Sequence, residues 1–166
     1  MRVYLPATTT VLQRLLDQGR LNGPITVFTV TPQLRSFYEL SDDEELEYAA
    51  LIAAARASLR LIDNDPSAAR RRVVLAADVP ENSVAPIQDP AADAGAARTT
   101  ADVTLRDVAS AHIDLAEAED DVRAAVNVVL EADLGSEDAQ FRVDQAEGHE
   151  LAWYATQEIG PALELL

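Results

Sequence analysis

The stretch from Ser41 to Ile62, SDDEELEYAALIAAARASLRLI, carries two apolar stripes at helical spacing rather than one. Leu46, Ala49, Ala50, Ala53, Ala57 and Leu61 form the first; Tyr48, Leu51, Ile52, Ala55, Leu59 and Ile62 form the second. A helix apolar over so much of its circumference is covered on more than one side. Ser41 with Glu44 three residues on has the form of a capping box, and Asp42 to Glu45 place negative charge at the positive end of the helix dipole. The alanine stripe permits close approach to a sheet or another helix. The Tyr/Leu/Ile stripe needs a second layer or a partner subunit, so this is either the central helix of a monomer or the seam of a homodimer.

Around this helix the pattern alternates between strands and helices. Arg2–Leu5 reads as a strand ended by Pro6, and Thr8 to Thr10 cap a helix whose apolar face is Val11, Leu12, Leu15 and Leu16. Gly19 and Gly23 close it. Ile25–Val30 is β-branched and aromatic with apolar residues on both faces, as in a strand covered on both sides. Strand, helix and strand in this succession predict a βαβ unit, with the first two strands parallel and joined by a right-handed crossover. Thr31-Pro32 opens a short helix to about Glu39, because proline suits the first helical position.

Asn64, Asp65 and Pro66 stop the long helix. Arg71–Val79 then returns as a strand, with Val73, Leu75 and Ala77 on one face and Val74 and Ala76 on the other. The segment 80–101, containing Pro80, Pro86 and Pro90 and little periodicity, reads as a flexible loop, with a lid over a site as the alternative. Val103–Leu105 has an extended pattern and Val108–Ile113 reads as a strand. Asp114 with Glu117 forms a second capping-box pattern, opening a helix to about Ala132. Gly135 ends it, residues 136–148 carry no decisive pattern, Leu151–Tyr154 is a last strand, and Thr156 caps a brief final helix. The order β-α-β-α-α-β-β-α-β-α predicts one α/β domain over 1–166, with a mixed, partly parallel sheet and helices packed on it. The same order also admits an α+β class, and a ferredoxin-like two-layer variant is the alternative.

Taken together, MRVYLPAT, DDEELEYAALIAAARASLRLI, RRVVLAADV, VASAHID and HELAWYATQEI resemble an uncharacterised protein family of GC-rich Gram-positive bacteria. The resemblance spans nearly the whole chain. It implies that these segments form one domain, and it brings no assigned activity, cofactor or catalytic residue.

Composition narrows the partners. The formal charge is −16, from 29 acidic and 13 basic residues, every basic one an arginine. Such a surface repels phosphate backbones and has no compensating basic stripe, which argues against nucleic acid. No stretch approaches the roughly 20 apolar residues of a membrane span and no leader pattern opens the chain, so a cytoplasmic protein with no membrane partner is expected. The absence of cysteine excludes disulfides and thiolate chemistry.

The motifs for phosphate loops and for the nucleophile elbow are absent, so no cofactor site is indicated. Two constellations remain. His112, Asp114, His149 and Glu150 would supply a histidine base with a carboxylate, or mixed ligands for a divalent metal, if their strands adjoin. The bland reading makes Asp114 a helix cap, His112 a half-buried polar residue and His149 a turn residue. Arg70, Arg71 and Arg72 form the one dense basic cluster, suited to an anion or to balancing the nearby Asp63 and Asp65. Tyr4, Phe28, Trp153 and Tyr154 read as core. The leading expectation is a non-enzymatic protein-binding or structural domain that associates with itself through the 41–62 helix or binds another protein. The alternative is a small hydrolase or metal-dependent enzyme using His112, Asp114 and His149.

Overall fold

Alternation of apolar residues on two adjacent central strands sets the architecture. In the computed structural model, which describes residues 1–166, β1 (Arg2–Ala7) lies antiparallel to β4 (Val73–Asp78) with Leu5 opposite Leu75. Val3, Leu5, Ala7, Val73, Leu75 and Ala77 face one side of the sheet and join a core with Leu12 and Leu15 of α1 (Thr9–Gln18). Tyr4, Val74 and Ala76 face the other side and join a second core under α3 (Asp43–Asp63). The period of two thus divides one hydrophobic sequence between two layers. β1 runs through Pro6 instead of ending there. Its pairing with β3 (Ile25–Phe28) is confined to Tyr4 opposite Phe28, so proline's missing N–H removes no bond on that side.

The remaining strands are β2 (Arg20–Leu21), β5 (Val84–Pro86), β6 (Ala96–Thr99), β7 (Val103–Thr104), β8 (Val108–Ile113) and β9 (Ala152–Ala155). Seven of the nine form one sheet in the order β5-β6-β3-β1-β4-β8-β9, and β2 pairs with β7 in a separate ribbon. Every pairing is antiparallel. The chain is mixed α and β as expected, but the parallel βαβ start is corrected. Between α1 and β3 lies β2, and the turn after it reverses the chain once more, so β3 enters opposite to β1. Gly23 occupies that turn because a Cβ there would sit 2.6 Å from the backbone carbonyls of Thr100 and Ala101.

The 80–101 segment also departs from expectation. It supplies the edge strand β5 and, between β5 and β3, the strand β6, with Ala97 opposite Val27 and Ala85 opposite Arg98. Small residues conceal the strand signal here: Ala96 and Ala97 are buried at a density of apolar surface too low to mark a strand.

α3 begins one residue later than the Ser41/Glu44 pattern suggests. The Asp42 carboxylate accepts from the Glu45 N–H at 2.9 Å, and the Glu45 carboxylate accepts from the Asp42 N–H at 3.3 Å. A carboxylate at that place also meets the positive end of the helix dipole, which the Ser41 hydroxyl does not. Ala50 and Ala54 are fully buried, letting the helix lie close on the sheet. Ser58 bridges β1 and β4, donating to the Ala7 carbonyl at 2.6 Å and accepting from the Val73 N–H at 3.0 Å.

The second stripe is divided. Leu59 and Ile62 are covered by α4 (Glu119–Asp133) and α5 (Glu137–Glu147), whose Val122, Val126, Val129 and Val143 complete a third core. Asp133 of α4 ties this contact down, accepting from Arg60 Nε at 2.7 Å and Arg56 Nη2 at 3.2 Å. The helix α2 (Pro32–Phe37) adds Leu34 to the core under α3, and α6 (Ile159–Glu164) packs on the α1 side. Helices therefore cover both faces of the sheet, which sets it apart from a two-layer arrangement. No helix is long and apolar enough to cross a membrane.

Candidate functional site

The N-terminal half of α3 is left bare by α4 and α5, and beside it the sheet runs out at β9. Here Tyr48 is 57 % exposed and Leu51 and Ile52 are half-buried, on a helix whose C-terminal half is covered. Strand parity brings polar and aromatic residues to the same place. Ser110 and His112 of β8 share a face with Ala76, and His112 stands opposite Trp153 of β9 in the strand register. Trp153 is 61 % exposed. The expectation that it is core is corrected, because β9 is an edge strand and only its Tyr154 side reaches the core shared with α1 and α6. Tyr4 and Phe28 are buried as expected.

Two adjoining cavities result, joined through Tyr48 and Leu51. One, of about 280 Å³, is lined among others by Tyr4, Glu44, Glu47, Ser110, His112 and Trp153. The other, of about 200 Å³, lies toward Ile52, Arg72, His149, Glu150 and Leu151. Together they form a cleft between α3 and the β8–β9 edge.

Charge in the cleft is uneven. Arg2 reaches it, but its guanidinium is spent on Asp78, with contacts of 2.9 and 3.2 Å that hold Asp78 below the usual carboxylate range. Glu44 and Glu47 are exposed and take part in none of the chain's ion pairs. The Tyr4 phenol, on a residue 8 % exposed, is pushed up in pKa by burial and then by Glu47, and no group of the chain hydrogen-bonds to it. His112 is pushed down by burial and then by Arg2, and its Nε2 lies 3.2 Å from Ser110 Oγ. The cleft therefore presents neutral imidazole, aromatic faces and unneutralised carboxylates.

The residues singled out from the sequence take separate partners. Asp114 does not cap a helix: a 3-10 turn over 116–118 intervenes, and α4 begins at Glu119. Its buried carboxylate is held by Arg72, whose backbone N–H, Nε and Nη2 donate at 2.7, 2.8 and 2.8 Å. Arg72 Nη2 also donates to the His149 carbonyl at 2.9 Å. The His149 ring turns the other way, placing Nε2 2.7 Å from Asp121. Glu150 is exposed at the rim of the smaller cavity. No group of three or more histidine and carboxylate side chains is placed to hold a metal ion.

The arginine cluster is likewise occupied from within. Arg71 Nη2 meets Glu119 at 3.3 Å, and its Nη1 donates to the Asp114 carbonyl at 3.2 Å. Arg70 donates to the Ala68 carbonyl at 3.1 Å. The acids that balance this run are Asp114 and Glu119, distant in sequence, rather than Asp63 and Asp65.

Sequence reasoning passed over Glu44, Glu47, Tyr48 and Trp153 as a group. The second stripe carried part of the signal, since Tyr48, Leu51 and Ile52 belong to it. The meeting with β9 depends on strand order and was not readable.

Comparison with known proteins adds a family and no more. No curated protein matches the chain, and no solved structure does. A family model matches residues 1–163, and the chain belongs to that family, a family of unknown function designated DUF6912.

Proposed function

We propose that this protein is a non-enzymatic binding domain that holds a segment of another polypeptide in the cleft between α3 and the β8–β9 edge. One observation carries the reading: Tyr48, Ile52 and Trp153 present apolar surface at the place where the chain's own helices stop covering α3. Exposed aromatics beside a concave apolar surface are the usual anchors of protein interfaces. The reading as a hydrolase or metal-dependent enzyme draws no support from His112, Asp114 and His149, whose side chains face Ser110, Arg72 and Asp121 respectively. The expected location, the cytoplasm, agrees with a chain that has no cysteine.

Self-association through α3 is the second reading, favoured by the exposure of Tyr48. A two-fold dimer sets the same patch against itself, bringing Glu44 and Glu47 toward their copies. Such a dimer gains from salt that screens the repulsion.

The test is to retain polypeptides from an extract of the source organism on the immobilised full chain, then purify the retained partner and measure its affinity. The double variant Tyr48→Ala, Trp153→Ala should weaken binding by about tenfold or more. Leu134→Ala with Phe141→Ala, on the α4–α5 side, should leave it unchanged. Equal affinity of the first variant and the wild type contradicts the reading.

A further inference from the structure

We infer that the occupant of the larger cavity is an arginine side chain of a basic polypeptide segment, received between the aromatic residues Tyr48 and Trp153 and the carboxylates Glu44 and Glu47. The inference rests on the binding reading and specifies the partner's chemistry. Three independent features converge on it.

The first is charge. Glu44 and Glu47 line the cavity without any cation of the chain paired to them. The one guanidinium in its lining, Arg2, is bonded to Asp78 and feels Glu47 only at longer range. His112 is held toward its neutral form by burial and by Arg2, and so supplies no counter-charge. The molecule as a whole carries −16, which steers cationic segments toward it and repels acidic ones.

The second is the aromatic lining. Tyr48 and Trp153 are among the most exposed large aromatics, at 57 % and 61 %, and Tyr4 lines the same cavity. Indole and phenol faces attract cations, and guanidinium does so better than ammonium because it is planar and weakly hydrated. Its fork also meets carboxylates two bonds at a time. Arginine therefore fits this lining better than lysine.

The third is a polar group with no partner. Tyr4 is 8 % exposed as a residue and lines the cavity, and its hydroxyl is hydrogen-bonded by no group of the chain. That hydroxyl opens on the cavity and is not sealed in the interior, since no enclosed side-chain oxygen or nitrogen of the chain lacks a partner, and it is free to donate to an acceptor brought there. A peptide segment brings one beside each side chain, its backbone carbonyl, whereas a free guanidinium compound brings none.

The single tryptophan makes the test direct, because Trp153 gives the only side-chain indole N–H resonance of the protein. The full chain is titrated at low salt with the capped peptide Gly-Ser-Arg-Ser-Gly, and with the same peptide carrying Lys, Gln or Leu at the centre. The arginine peptide should shift the indole resonance saturably, and the glutamine peptide should bind about tenfold more weakly or not at all. Glu44→Gln with Glu47→Gln should weaken the arginine peptide by about tenfold, Tyr4→Phe by about fivefold, and Glu137→Gln with Asp138→Asn on α5 by less than about twofold. Equal loss in the α5 variant and the Glu44/Glu47 variant would reduce the effect to general attraction by an acidic surface and overturn the inference. A resonance moved by the leucine peptide and not by the arginine peptide also overturns it, while leaving the binding reading intact. That reading fails separately, if the partner isolated from extract binds the Tyr48/Trp153 variant as well as the wild type.

Discussion

Arg72 and Asp114 meet side-on in the interior, Nε and Nη2 each 2.8 Å from a carboxylate oxygen, with 1 % and 0 % of their side chains exposed. The pair joins the start of β4 to the end of β8, and through the His149 carbonyl it also fixes the approach to β9. A buried ion pair contributes little net stability, but removing one partner strands a charge in a dry site. Asp114→Asn should therefore cost about 3–5 kcal/mol in urea denaturation. Replacing both residues by apolar ones, Arg72→Met with Asp114→Leu, should cost less than the single change. A loss below about 1 kcal/mol for Asp114→Asn would show that the pair is not the joint described here.

The start of α3 gives a second expectation. Asp42→Ala should lose about 0.5–2 kcal/mol through the lost cap, and Ser41→Ala should change the denaturation midpoint little. The reverse ranking would return the cap to Ser41.

His112 predicts a pH dependence of definite sign. Its folded pKa lies below the ordinary imidazole value, chiefly through burial. As pH falls below about 6.5 the unfolded chain takes up the proton first, so stability declines from there down to the folded pKa. Comparison of wild type with His112→Gln at pH 7.5 and pH 5 should show the larger loss in the wild type. Parallel losses would mean that other groups account for the change.

Self-association is read from light scattering. If α3 pairs with a second copy, mass should rise with both concentration and salt, and Ile52→Glu should hold it at the monomer value while the circular dichroism is retained. A monomer mass under all conditions removes this reading.

Much of the layering was legible in the sequence. The alternation of Val73 to Ala77 placed β4 in the interior, and of the second stripe on α3 the structure covers Leu59 and Ile62 while leaving Tyr48 exposed. What escaped were features set by distant partners. β1 and β3 read as parallel because a two-residue strand, β2, is too short to leave a periodic signal. β5 and β6 were hidden by alanine and proline. Asp114 with Glu117 imitates a capping box, because an aspartate suits both an N-cap and a buried guanidinium, and only Arg72, 42 residues earlier, decides between them. The cleft was half legible: helical spacing marked Tyr48, Leu51 and Ile52, while Trp153 joins them through strand order alone.

On the proposed reading, the bare half of α3 and strand β9 form the face that takes a partner. Hydrogen exchange of the full chain, with and without the partner purified from extract, measures this residue by residue. Added protection is expected over Glu44–Ile52 and Leu151–Ala155, with little change on the outer side of α4 and α5 around Leu130, Leu134 and Phe141. Protection confined to that α4–α5 surface, with the cleft unchanged, would contradict it.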